Sequence, residues 1–198
     1  MTRLGLTGGI GMGKSRAAEI LAKRGAKVSD SDQLARELVE PGQPALAEIV
    51  EVFGDGVLRE DGWLDRAKVG ELVFGDSAAR EKLEGILHPR IRDVRQARFD
   101  GWAAAGEWLA VAVIPLLFET RAEASFDRIV CVACSPEAQR ERLRERGWSD
   151  DQISSRLEAQ MAVEEKMKRS DHVVWTDGTI EVHAAQWDAL LSSWDVEA

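Results

Sequence analysis

Eight consecutive residues, Gly8-Gly9-Ile10-Gly11-Met12-Gly13-Lys14-Ser15, combine four glycines with a cation and a hydroxyl. The spacing is G-x-x-x-x-G-K-S, which suits one kind of chemistry, the holding of phosphate. Glycines keep side chains out of the way, so backbone N–H groups converge on an anion. Lys14 is placed to reach the β- and γ-phosphates of a nucleotide, and Ser15 to ligate Mg²⁺. The helix that starts near Lys14 adds its positive end.

A second constellation is Asp30-Ser31-Asp32, two carboxylates at spacing two just past a strand. If extended geometry continues through them, both point to one side. In a parallel sheet this is the carboxyl edge, where ligands bind. Phosphoryl transfer needs a carboxylate near the acceptor hydroxyl, and Asp32 is the candidate. The plainer role for an aspartate here is a helix N-cap, and the two residues can divide these roles. A third constellation is Arg140, Arg142, Arg144 and Arg146, followed by Arg156. Arg142 and Arg146 are four apart and share a helix face. Such a cluster reads as a lid that closes over phosphates. The competing reading is a solvated face of ion pairs with Glu141 and Glu145.

These groups need elements to position them. Strands are expected at about 3–7, 26–29, 108–114, 128–133 and 172–175. Trp108–Ile114 is apolar without alternation, as in a strand covered on both faces. Helices are expected at about 14–24, ended by Gly25, and at 33–40. Another starts at Ser135-Pro136, and one follows the capping box Ser149-Asp150-Asp151-Gln152. A closing helix covers about 179–194, with His183 as a packed helix residue. Residues 41–107 read as all-helical, with His88-Pro89 interrupting a helix, since proline disfavours helix in the residue before it. The fold class is therefore α/β: a phosphate-loop core with a parallel sheet, an inserted helical block and a helical lid.

Composition narrows the function. The 198 residues carry a net charge of −9, which argues against nucleic acid. Positive charge is local: 139–170 holds eight Lys/Arg against seven Asp/Glu. The longest apolar run, Trp108–Phe118, is too short to span a bilayer and contains Pro115. With no visible signal peptide, the cytosol is expected. Cys131 and Cys134 form C-x-x-C, but Cys131 lies in a strand-like run and no other cysteine exists. Buried small hydrophobes are the better reading. A dinucleotide fold wants a third glycine where Lys14 stands. The guanine pocket of a GTPase uses Asn-Lys-x-Asp, and the chain has no asparagine. Trp108–Ile114 lacks the carboxylate of a large ATPase, so the metal would rest on Ser15, nucleotide, water and Asp32. A small-molecule kinase remains.

The chain resembles the dephospho-coenzyme A kinase family nearly end to end. Leu6–Ser15 is similar to the family's opening. Asp30-Ser31-Asp32 with Ala35-Arg36 matches its D-x-D-x-x-A-R. Leu64-Asp65-Arg66, Leu87-His88-Pro89 with Ile91, and Pro115-Leu116-Leu117-Phe118-Glu119 recur in order. Arg142, Arg146, Arg156, Gln160 and Glu165-Lys166 follow the lid pattern. The resemblance implies a nucleotide core at 1–40, 108–139 and 171–198, an acceptor domain at 41–107 and a lid at 140–170. It implies transfer of the γ-phosphate of ATP, with Mg²⁺, to the ribose 3′-hydroxyl of dephospho-CoA. Asp32, Lys14 and Arg142 would be catalytic. Gly11, Met12, Gly13, Lys14, Ser15, Arg16 and Arg146 would bind ATP, Asp32, Arg66 and His88 the acceptor, and Ser15 the metal. The implied partners are these two substrates, with no nucleic acid or membrane, and a monomer is compatible with that. Three positions depart from the family's usual residues: Met12 for Ser, Arg16 for Thr and Thr176 for Asn. Kinases for other small hydroxyl acceptors and a non-catalytic ATP or CoA sensor are the competing readings.

Overall fold

A computed structural model describes residues 1–195. Five strands form one parallel sheet in the order β2-β3-β1-β4-β5. They are β1 (Thr2–Thr7), β2 (Lys27–Asp30), β3 (Leu109–Val113), β4 (Arg128–Ala133) and β5 (His172–Trp175). Leu4 pairs with Val111 on one side and Arg128 on the other, and Cys131 pairs with Val173. Every residue of β3 is buried, which is why its sequence runs apolar without alternation.

Nine helices connect the strands among the described residues: α1 (Lys14–Lys23), α2 (Ser31–Glu37), α3 (Pro44–Phe53), α4 (Arg66–Gly75), α5 (Ser77–Ala104), α6 (Pro136–Glu145), α7 (Asp150–Glu158), α8 (Val163–Arg169) and α9 (Ile180–Asp195). The chain divides into two compact units, one of Met1–Ser29 with Trp102–Ala198 and one of Asp30–Gly101. In the first, Leu4, Leu6, Val111 and Val130 of the sheet pack with Ile20 and Leu21 of α1 and Trp187 and Leu191 of α9. In the second, Val39, Ile49, Val57, Val69 and Ile86 form a separate core.

Two local expectations are corrected. Pro89 does not interrupt its helix, because α5 runs through it as one element of 28 residues. A proline inside a helix removes one N–H and crowds the carbonyl four residues back, a cost of about 3 kcal/mol. Burial of Ile86 with Leu83 and Leu87 in the Val39–Ile49 core outweighs it. The Arg90 guanidinium also donates to the Ile86 carbonyl at 2.7 Å, one turn back beside the proline. The extended backbone, moreover, stops at Asp30. Asp30 is the N-cap of α2, accepting from Asp32 N at 2.8 Å and Gln33 N at 3.2 Å, so Asp32 lies in the first helical turn.

Both cysteines are free and buried. Burial pushes the Cys131 thiol up to about 11 and raises Cys134 as well, which keeps both in the neutral, unreactive form.

Candidate active site

The glycine loop leaves the carboxyl end of β1 and enters α1. Gly8 has φ +141°, and a Cβ there would lie 2.2 Å from the Val132 carbonyl of β4, so only glycine fits. Gly13 caps α1 in the left-handed region, φ +93°, with no side-chain hydrogen bond to the helix. No acidic residue occupies the first turn of α1 either. The first amides of this helix are therefore uncovered by any side-chain cap and present a partial positive charge.

Side chains brace the loop from distant parts of its unit. Lys14 Nζ donates to the carbonyls of Gly8 at 2.9 Å and Gly9 at 2.8 Å. Ile10 gives both backbone groups to glutamines: its N–H donates to Gln160 Oε1 at 3.2 Å, and its carbonyl accepts from Gln139 Nε2 at 2.7 Å. Met12 is buried, and its N–H donates to Gly9 O at 3.3 Å. Gly11 is buried too. Ser15 is exposed in the first turn of α1, and its hydroxyl has no hydrogen-bond partner among the described residues.

Thr176, just past β5, ties the loop to the arginine helix. Its hydroxyl reaches Met12 O at 3.1 Å and Ala133 O at 3.3 Å, and accepts from Arg142 Nη1 at 2.8 Å. Arg142 Nη2 donates to the Thr176 carbonyl. The next residue, Asp177, accepts from Ser135 N at 2.8 Å and Ser135 Oγ at 2.6 Å, and Ser135 is the N-cap of α6. The Ser135 hydroxyl holds the Asp177 carboxyl below its ordinary value. The turn after β5 thus grips α6 at two points.

The remaining arginines divide. Arg146 follows α6 as its C-cap residue and is exposed. Arg144 pairs with Asp150 at 2.8 Å rather than with Glu141 or Glu145, and Arg156 lies 4.8 Å above the Trp148 ring. Arg16 is exposed and paired with Glu19 at 2.7 Å. α7 begins with the complete Ser149–Gln152 capping box.

A cleft of about 410 Å³ runs beside this network, lined by Gly9, Met12, Pro136, Gln139, Gln160 and Trp175 among others. Two residues named above only within family motifs, Glu119 and Lys166, prove to be paired. Lys166 of α8 is fully buried, donating to Pro115 O at 2.6 Å and pairing with Glu119 at 2.8 Å. Glu119 also accepts from Met161 N at 2.9 Å. Burial raises the Glu119 carboxyl, but Lys166 and the Met161 N–H outweigh it and hold it below the usual carboxylate range. The lid pattern holds Lys166, but nothing local marks it, rather than Lys168, as buried.

The acceptor-side candidates all lie in the Asp30–Gly101 unit. Asp32 is exposed on α2. Arg66 opens α4 behind its N-cap Asp65 and lines a cavity of about 630 Å³. His88 is exposed on α5 and is not among the residues lining that cavity.

Among the described residues, no group of three or more His, Cys, Asp or Glu side chains could hold a metal ion. No described helix is long and apolar enough to cross a membrane. Against known proteins, a family profile described as dephospho-CoA kinase matches residues 2–181. The chain is 47% identical over 193 residues to the dephospho-CoA kinase of Anaeromyxobacter dehalogenans, covering 97% of this chain and 92% of that one. It is 42% identical over 194 residues to the enzyme of that name from Bacillus thuringiensis subsp. konkukian, covering 98% and 97%. A solved Thermus thermophilus protein superposes with a TM-score of 0.84 at 32% identity, covering 97% of each chain.

Proposed function

The chain belongs to the dephospho-CoA kinase family, and on that premise we propose that it moves the γ-phosphate of ATP to the ribose 3′-hydroxyl of dephospho-CoA, giving CoA and ADP. The observation that carries this is the uncapped start of α1 behind a lysine-held glycine loop, an anion cradle in a chain of this family.

The loop amides of Gly11, Met12 and Gly13 and the first turn of α1, with Lys14, Ser15 and the backbone of Arg16, receive the ATP phosphates. Arg142 and Arg146, from the lid at 140–170, add positive charge as the phosphoryl group transfers. Asp32 takes the proton from the 3′-hydroxyl, or orients it, while the oxygen–phosphorus bond to the acceptor forms and the bond to ADP breaks. Arg66 and His88 hold the acceptor in the helical domain at 41–107. The nucleotide core is 1–40, 108–139 and 171–198. Mg²⁺ would rest on the Ser15 hydroxyl, nucleotide oxygens and water. When bound, that ion neutralises charge developing between the β- and γ-phosphates.

ADP release with Mg-ATP and a panel of acceptors, with the product identified by mass, tests the proposal. Turnover is expected on dephospho-CoA and not on AMP or shikimate. Turnover on one of those alone overturns it, and tight ATP binding without turnover makes the protein a sensor.

A further inference from the structure

Arg36, in the last turn of α2, and Arg66, the first residue of α4, line one cavity of the Asp30–Gly101 unit. The cavity has about 630 Å³. Its third arginine, Arg59, is committed to Asp61 through contacts of 3.2 and 2.8 Å. Two carboxylates share the lining. Asp65 accepts from Lys68 N at 3.1 Å and pairs with Lys68 Nζ at 3.7 Å. Glu40 is exposed and forms no ion pair with Arg36 or Arg66. Among the described residues, these two guanidiniums have no carboxylate partner. Burial, and then repulsion from Arg36, hold Arg66 below the ordinary arginine value. Like charges brought together without a counter-ion oppose folding, and an anion between them turns that repulsion into attraction. A guanidinium fork also matches phosphate oxygens two at a time.

The position of Arg36 narrows the anion. Asp32 and Arg36 are four residues apart on α2, so they share a face and stand about 6 Å apart along its axis. Across one ribose, the 3′-oxygen and the phosphorus on the 5′-oxygen have a comparable separation. A nucleoside diphosphate ester can therefore set its 3′-hydroxyl at Asp32 while its first phosphate reaches Arg36.

We propose that Arg36 and Arg66 form the seat for the acceptor's diphosphate, and that α2 sets the distance from that seat to the reacting hydroxyl. The assignment rests on the kinase reading above.

The test uses the full chain with Arg36→Gln and Arg66→Gln, and Lys82→Gln, an exposed lysine on α5, as a charge-matched control. With saturating Mg-ATP and excess Mg²⁺, kcat/KM for dephospho-CoA is expected to fall about ten- to hundredfold in each arginine variant. KM for ATP and the Lys82→Gln rates stay within about twofold. Inorganic pyrophosphate, kept off the loop by ATP, inhibits the wild type competitively against dephospho-CoA, and its Ki rises at least about tenfold in the arginine variants. Arg36→Lys and Arg66→Lys keep the charge, and melt like the wild type with intermediate KM. An unchanged KM for dephospho-CoA in Arg36→Gln and Arg66→Gln, or an unchanged pyrophosphate Ki, overturns the seat and leaves the kinase reading intact. A wild type that does not phosphorylate dephospho-CoA overturns the kinase reading instead. Calorimetry of pyrophosphate on protein saturated with a non-hydrolysable ATP analogue then decides the seat without turnover.

Discussion

Around Gly8–Ser15 the chain has already supplied partners: Lys14 on two carbonyls, two glutamines on Ile10, Thr176 on Met12. Around the cavity of the other unit, which Glu40 and Asp65 also line, Arg36 and Arg66 share space with no carboxylate partner among the described residues. On the proposed reading, the loop would meet phosphate with backbone amides held in place by neutral and charged hydrogen bonds, and the cavity would meet it with two guanidiniums. Geometry discriminates by shape and barely varies with salt, whereas charge attracts at longer range and weakens as salt rises. A transferase that must seat two phosphorylated substrates separately gains from making the two seats differ.

The largest effect is expected at the proposed base. Asp32→Asn is expected to lower kcat by roughly 10²–10⁴ while dephospho-CoA still binds, as calorimetry without ATP would register. A loss below about threefold removes Asp32 from the base role. Next is the buried pair of Lys166 with Glu119. Glu119→Gln leaves the buried Lys166 ammonium unpaired and should cost about 3 kcal/mol in denaturant melts, at the low end because Glu119 keeps some exposure. The folded Glu119 titrates below its unfolded value of 4.5. Its contribution is therefore present above that pH and lost as pH falls through the folded value. The acid limb of the wild-type stability curve should flatten in this variant, and parallel acid limbs would mean the pair is not what holds α8.

Thr176→Val should cost about 1–3 kcal/mol of stability and raise KM for ATP more than it lowers kcat, because Arg142 and Met12 O lose their shared hydroxyl. Thr176→Ser should restore both values, and a serine variant as impaired as valine would assign the effect to packing. The smallest change is expected from Arg16→Ala. Its guanidinium lies on Glu19 in an exposed pair, so stability should move by less than about 0.5 kcal/mol and KM for ATP by less than about twofold. A tenfold rise in KM would show that Arg16 leaves Glu19 for the nucleotide.

What could be read in advance was local. The glycine spacing, the unbroken run at β3, the Ser149 capping box and the Ser135-Pro136 helix start are each decided within a few residues, and the structure has all of them. Pro89 shows a local rule overruled, since burial of Ile86 holds α5 together where the backbone alone would break. The braces of the site were illegible because their partners lie far apart in sequence. Lys166 is 51 residues from Pro115, Thr176 is 164 from Met12 and Gln160 is 150 from Ile10. Nothing in the composition of a helix says which lysine is buried or which glutamine finds a backbone amide. Arg142 drew attention as one of a row of arginines. Its grip on Thr176 depends on the register between β5 and α6, which periodicity does not encode.

The double hold on Ile10 carries a thermodynamic obligation. An N–H that donates to Gln160 cannot at the same moment donate fully to a phosphate oxygen. Whatever free energy keeps Gln160 at the loop is therefore subtracted from nucleotide affinity if the phosphate claims that amide. By reciprocity, a nucleotide that displaces Gln160 loosens the 159–162 turn by the same amount. The turn and the loop then share one equilibrium, and filling the cradle and freeing the segment that leads to α8 become two descriptions of a single event.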